Sequence, residues 1–411
     1  MQGWKMKTLV FLVSQGSTLL GSSIVQFALV WYITMESSSG FWVASLSLCA
    51  FLPQFAISLF SGVWADRYNR KLLIIASDGL IALSTLGLAL LLPLLKTNSS
   101  IFPALLLVSA LRSLGTGVQV PAVSAMIPQL VDKQHLMRFN ALNATLQSAV
   151  QFASPFIAGF FLSFLSLRST LFLDVGTAVV GISLLSVLVV PTVRAVQAGE
   201  GSSMVREIAE GLAFARKQKW VARMLRTYAL FIFLSVPAGF LATLFVTRTY
   251  QQSYLYMTMV EVVGFLGMSL GGVLISLWSG WKNGVKTLLV GMSCFGLLAI
   301  GMGVIDSIVV YLSLMLLYGI ALTMVQTSTI TLLQQRTPAE VQGRVFGFLQ
   351  MMFSGALPLG MVTFGPLADR MPMRMLMTLS GILLLLLVLA MRFDRVFYQA
   401  QETTPRPPHQ P

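Results

Sequence analysis

Gly62-Val63-Trp64-Ala65-Asp66-Arg67-Tyr68-Asn69-Arg70-Lys71 is a short charged turn between two runs that are almost wholly apolar, 41–63 before it and 72–95 after it. Each run is as long as the roughly 20 residues that carry an α-helix across a hydrocarbon core. In that medium the backbone must satisfy its own hydrogen bonds, so the runs are expected to be helices and the charged stretch the place where the chain leaves the bilayer and returns.

Working outward, apolar runs bounded by charges, Pro or Gly clusters fall at 8–33, 41–63, 72–95, 101–121, 139–163, 169–190, 224–248, 254–278, 284–305, 308–330, 343–366 and 374–391. They predict an all-α polytopic membrane protein of twelve transmembrane helices. Composition agrees. Of 411 residues 56% are hydrophobic and 10% charged, with a mean hydropathy of +0.82, against roughly 25% charged in a soluble domain. Lys5 and Lys7 precede a first run that no small-residue cleavage site follows, so it reads as a membrane helix and not a removed signal. Cys49 and Cys294 lie inside apolar runs, and His135 and His409 in a loop and a tail. No disulfide framework, metal cluster, cofactor site or nucleophile-base pair can be built from them, and an enzyme is not expected.

The net charge of +13 is a topology signal rather than a nucleic-acid footprint. With the N-terminus on the cytoplasmic side, the outer loops hold only Lys96, Arg168, Arg248, Arg370 and Arg374, and Arg112 lies in the membrane. The other 21 of the 27 Lys and Arg face inward. Both termini are therefore expected in the cytoplasm of a cell-membrane protein.

The one long polar connection separates the spans six and six. Domains are accordingly expected at 1–190, an N-terminal six-helix bundle; 191–223, a cytoplasmic linker; 224–397, a C-terminal six-helix bundle; and 398–411, a Pro-rich disordered tail. Within the linker Val205, Ile208, Leu212 and Ala215 recur at helical spacing among basic residues, as in an amphipathic helix on a membrane surface or a solvated linker helix. Val118-Gln119 recurs as Val325-Gln326 and Leu146-Gln147 as Leu349-Gln350, at nearly equal offsets, which fits a duplicated six-helix unit.

Four ionisable residues fall inside the spans: Asp78, Arg112, Asp174 and Glu261. Each is costly against lipid and needs a cavity or a partner. Arg112, near the midplane, reads as a proton-coupling guanidinium or as a cation tied to backbone carbonyls. Glu261 is the first choice for the proton carrier, with an interhelical hydrogen bond as the structural alternative. Asp174 is either an outer gate residue or a helix-start charge. Asp78 is expected to pair with Arg70 or Arg138.

The opening stretch resembles the G-x-x-x-D-R-x-G-R-[RK] signature between the second and third helices of the major facilitator superfamily. Asn69 stands where that pattern has Gly, and Asn can take the left-handed backbone that Gly supplies. Arg112-Ser113-Leu114-Gly115-Thr116-Gly117 resembles the R-x-x-Q-G-x-G motif of proton-coupled exporters in that superfamily. Ser154-Pro155-Phe156-Ile157-Ala158-Gly159 resembles the G-P-x-x-G-G motif of its antiporters, and Pro358 with Gly360 repeats the idea. Together with the run from Ser14 to Lys71, Asp174, Glu261 and Gly343-Arg344-Val345-Phe346, they make the chain similar to the macrolide-efflux and enterobactin-exporter branch.

The resemblance implies two six-helix bundles with alternating access, acting as a monomer. It implies proton-driven export of an amphipathic drug-like or siderophore-like molecule, with membrane lipids, protons and the substrate as partners and no nucleic acid. Gln15, Gln26, Gln119, Gln147, Gln151, Tyr228, Tyr318 and Gln326 fall on helices that this architecture places around a central cavity. Gly62, Asp66, Arg67, Arg70 and Lys71 are then a gating motif. Asp66 would latch against the start of span eleven, where Thr337-Pro338-Ala339-Glu340 reads as a capping box. A lipid or lysolipid transporter of the same fold is the nearest alternative, and a non-transporting receptor or assembly partner the alternative from another class.

Overall fold

The computed structural model describes residues 3–131, 135–188, 218–278, 280–281, 283–337, 339–394 and 396–397. Among these there is no strand. The helices are α1 (Gly3–Ser37), α2 (Gly40–Arg67), α3 (Arg70–Leu91), α4 (Asn98–Leu130), α5 (Leu136–Phe164), α6 (Leu167–Val187), α7 (Lys219–Ser235), α8 (Ala242–Thr249), α9 (Tyr254–Trp278), α10 (Gly284–Val304), α11 (Ile308–Arg336), α12 (Ala339–Arg370) and α13 (Met373–Phe393). Eleven of them are long and apolar enough to cross a membrane; α7 and α8 are the two that are not.

Those two short helices are a correction to the seventh expected span, read as continuous over 224–248. Pro237 has no N–H to give and interrupts the ladder. Val236 N–H tightens onto Phe233 O at 3.4 Å, Gly239 N–H reaches Ser235 O at 2.9 Å, and Leu241 N–H reaches back five residues to Val236 O at 3.1 Å. The result is two helices joined by an irregular turn within one apolar run.

The chain divides into two compact units, Met1–Glu200 with Val246–Val262, and Gly201–Phe245 with Val263–Pro411. In the first, α1 packs along α6 and α5, α4 packs along α2 and α3, and α3 also meets α6. In the second, α10 packs along α13 and α11, while α12 and α13 pack on α7. Lipid chains are as apolar as Leu, so close backbone approach rather than water exclusion drives such packing. A Cβ at Gly117 would come 2.9 Å from Gln54 O, and one at Gly115 would come 3.1 Å from Ser77 O.

Pro53 bends α2 and opens its ladder beside α4. Ser113 fills the gap: its hydroxyl accepts from Gln54 N–H at 2.9 Å and donates to Ala50 O at 2.7 Å. The motif around Arg112 is thus a packing surface as well as a charge, with Ser113 bridging the bend and two glycines admitting the neighbouring backbones.

At the α2–α3 turn Asn69 corrects a second expectation. Its φ of −64° and ψ of 112° are extended, not left-handed, and its side chain caps α3 by accepting from Lys71 N–H at 3.0 Å and Leu72 N–H at 3.4 Å. Asn serves here as an N-cap, one of its preferred places. Lys71 Nζ donates to Ser186 O at 2.7 Å and Leu188 O at 2.9 Å, closing carbonyls at the end of α6. Arg70 Nη1 donates to Ala125 O at 2.7 Å, just before Pro128 in α4. Two of the motif's cations therefore tie three helix ends of the first unit together.

α7 begins at Lys219, inside the expected linker, whose residues 191–217 lie outside the described ones, as does the tail from 398. Thr337 is the C-cap of α11, while Pro338 and the side chain of Glu340 lie outside the described residues, as do the side chains of Asp66 and Arg67.

Candidate functional site

Arg112, near the middle of α4, is 5% exposed, and Asp174, two turns into α6, is 1% exposed. Their side chains form an ion pair through Nη1 and Oδ2. Thr85 of α3 is the third member. Its hydroxyl receives a hydrogen bond from the same Arg112 nitrogen and lies 3.0 Å from Asp174 Oδ2, to which it can donate. From α1, Ser22 O accepts Arg112 Nη2 at 3.2 Å. Gly21, beside it, leaves room for the carboxylate, since a Cβ there would come 2.8 Å from Asp174 Oδ1. Four helices thus meet on one buried charge pair. Buried in this way, each charge is tolerable only because the other is present and the remaining donors and lone pairs find partners.

A second polar layer lies seven residues along the same helices. Seven residues are close to two helical turns, so Asp78 shares a face of α3 with Thr85, and Gln119 a face of α4 with Arg112, roughly 10 Å along the axis. Gln119 Nε2 donates to Asp78 Oδ1 at 2.5 Å, and Asp78 Oδ2 is buried without a partner. Among the described residues Asp78 therefore pairs with an amide and not with Arg70, whose Nη1 is on Ala125 O, while the side chain of Arg138, the other expected partner, lies outside them. Asp174, expected as a gate or helix-start charge, is the counter-ion of Arg112. Glu261, expected to act with Arg112, is half-buried on α9 and makes no hydrogen bond or ion pair among the described residues.

The other expected site residues divide between the units. Gln15 is 8% exposed with Nε2 unpartnered; Gln26 and Gln326 are half-buried; Gln147 and Gln151 are exposed. In the second unit Tyr228 and Tyr318 are brought into one aromatic run. Tyr228 stacks on Phe231 at 6.5 Å, Phe231 meets Phe295 at 4.8 Å, and Phe295 meets Tyr318 at 4.1 Å between ring centroids. Pro155 and Pro358 lie inside α5 and α12. Gly159 is where a Cβ would strike Thr258 Oγ1, and Gly360 sits 3.2 Å by the same measure from Phe233 O, admitting α12 to the end of α7. Thr85, Ser22 and Ser113 were not expected. The seven-residue step from Asp78 to Thr85 was the available sign for the first of them.

Long apolar helices in two compact units, the first with a buried polar seam, make a multi-pass membrane protein. Residues 11–361 match the model of the Major Facilitator Superfamily, and the chain belongs to that family of transporters. It is 25% identical to Macrolide efflux protein A of Streptococcus pyogenes over 93% of this chain and 94% of that one. It is 21% identical to the multidrug efflux pump Tap of Mycolicibacterium fortuitum over 85% of this chain and 86% of that one. Among solved structures, an auto-inhibited POT family peptide transporter superposes with a TM-score of 0.71 at 13% identity, covering 99% of each chain. A bacterial homologue of the iron transporter ferroportin gives 0.69 at 16% identity, covering 96% of this chain and 99% of the other. Transport is thus established for the family, and the fold is that of its members.

Proposed function

We propose that the protein is a secondary active exporter of an amphipathic small molecule, a macrolide or a drug of similar character, working by alternating access with protons as the counter-ion. The observation that carries the reading is the buried Arg112–Asp174–Thr85 cluster in a chain similar over most of its length to macrolide and multidrug efflux proteins. An ion pair at that depth is a two-state device. Closed, it neutralises itself; opened by movement of α4 against α6, it exposes a carboxylate that a proton can satisfy. Glu261, half-buried and unpaired among the described residues, is available as a second carboxylate for the same exchange. The proposal places both termini in the cytoplasm and gives Asp66 a gating role.

The test is transport of radiolabelled erythromycin into everted vesicles or proteoliposomes under an imposed pH gradient. Accumulation that collapses when the gradient is dissipated, with protons released as drug is added, supports the reading. Drug flux that is indifferent to the gradient overturns the proton coupling, and absence of flux for erythromycin and a panel of amphipathic drugs, with binding retained, favours a non-transporting receptor.

A further inference from the structure

Arg336, the last residue of α11, donates no hydrogen bond among the described residues. Its guanidinium lies over the ring of Trp220, 4.4 Å from the centroid. That contact holds the guanidinium against the indole, and its Nη1 is buried without an acceptor. The Trp220 indole has the same deficit: the residue is 7% exposed and its Nε1 is buried and unpartnered. Two donors, on two residues in direct contact, thus lack an acceptor at one place. Buried N–H groups are seldom left so, because each forfeits a hydrogen bond it had in water.

The surroundings show what kind of acceptor fits. Three helix ends meet here: the start of α7 with Lys219 and Trp220, the end of α11 with Arg336, and the turn after α13, where Phe397 packs edge-on against Trp220 at 6.4 Å between centroids. The acid of this corner is already committed, since Asp394 pairs with Arg223 of α7 and also accepts Val396 N–H at 3.1 Å. Among the described residues Arg336 therefore has no counter-charge, and Lys219 adds a second positive charge beside Trp220. A planar guanidinium edge matches two oxygens of one anion, and an indole N–H can reach a third lone pair. Trp220 and Arg336 lie where α7 begins and α11 ends, and at the ends of membrane helices the phosphate of lipid headgroups is the abundant oxyanion.

We propose that the Arg336–Trp220 corner of the second unit is a binding site for a phosphate oxyanion, of the kind carried by the headgroup of an anionic phospholipid. Arg336 holds two of its oxygens and Trp220 Nε1 a third, and the occupied site ties α7 to α11 at their shared end.

The experiment compares thermal unfolding and native mass spectra of the full chain in nanodiscs of phosphatidylcholine alone, in the same nanodiscs with phosphatidylglycerol added, and in phosphatidylcholine with inorganic phosphate titrated in. Phosphatidylglycerol should raise the unfolding temperature and remain bound as one retained lipid. Trp220→Phe keeps the ring beneath Arg336 and removes only the N–H, so it should still fold. Both it and Arg336→Gln should weaken retention about tenfold, the effect of losing one charge-assisted hydrogen bond. Stabilisation by inorganic phosphate that both variants abolish would assign the site to the free anion. Retention of phosphatidylglycerol unchanged in both variants overturns the proposal, as does stabilisation that neither additive produces in the parent protein.

Discussion

Arg112 of α4 and Asp174 of α6 are each other's counter-ion, an ion pair in which the two side chains retain 6% and 1% of their exposure. Removing one partner strands the other charge, so Arg112→Gln and Asp174→Asn should each cost about 3–5 kcal/mol of stability. The double variant removes both charges and should recover much of that loss, because a buried pair is worth little more than a well-packed neutral replacement. Unfolding temperatures from fluorescence-detected gel filtration give the answer. A double variant as unstable as the sum of the singles would show that the two residues are not coupled.

Ser113 is the hydroxyl that completes α2 where Pro53 bends it, with one bond to each side of the opened ladder. Ser113→Ala leaves Gln54 N–H and Ala50 O facing apolar neighbours, which should cost about 1–3 kcal/mol. Thr116 is the control. Its hydroxyl only bonds back to Arg112 O at 3.0 Å in its own helix, so Thr116→Ala should change stability by about 0.5 kcal/mol or less. Equal losses in the two variants would argue against the bridge.

The sequence was most informative where one dimension suffices. Apolar run length located the spans, since hydrocarbon thickness fixes how many residues a helix needs. It could not show that Pro237 splits the seventh run, because Pro53, Pro103, Pro155 and Pro358 stay inside continuous helices. Whether a Pro bends or breaks a helix depends on which neighbour re-satisfies the freed groups, and that is a matter of packing. For the same reason the four internal ionisable residues were evident and their pairing was not. Depth counted from span ends set Asp174 well outside Arg112, yet side-chain length and helix offsets bring them into contact.

The cations of the opening turn allow its structural and functional parts to be separated. Lys71 closes the end of α6 through Ser186 O and Leu188 O, so Lys71→Met should lower stability by about 1 kcal/mol and reduce transport only in proportion to the folded protein left. Asp66→Asn should do the opposite, slowing transport with the unfolding temperature unchanged and drug binding retained. Normal flux in Asp66→Asn would remove the gating role assigned to it.

The turn that splits the seventh span depends on a close approach that can be tested by exchange of two residues. A Cβ at Gly239 would stand 2.7 Å from the Tyr318 hydroxyl of α11 and 3.8 Å from its ring carbon Cζ. The hydroxyl is therefore the nearest obstacle, with Ser235 O next at 3.2 Å, and the ring is not one. Gly239→Ala should destabilise the second unit by about 1–3 kcal/mol, as overpacking does. Tyr318→Phe alone leaves the ring on Phe295 and should cost less. Combined, the two changes should be better tolerated than Gly239→Ala alone, with a coupling of about 0.5–3 kcal/mol, because the atom in the way has gone. Strict additivity in that double-mutant cycle, measured by thermal unfolding, would show that the irregular turn is held by Pro237 alone and that α11 does not pack against it at Tyr318.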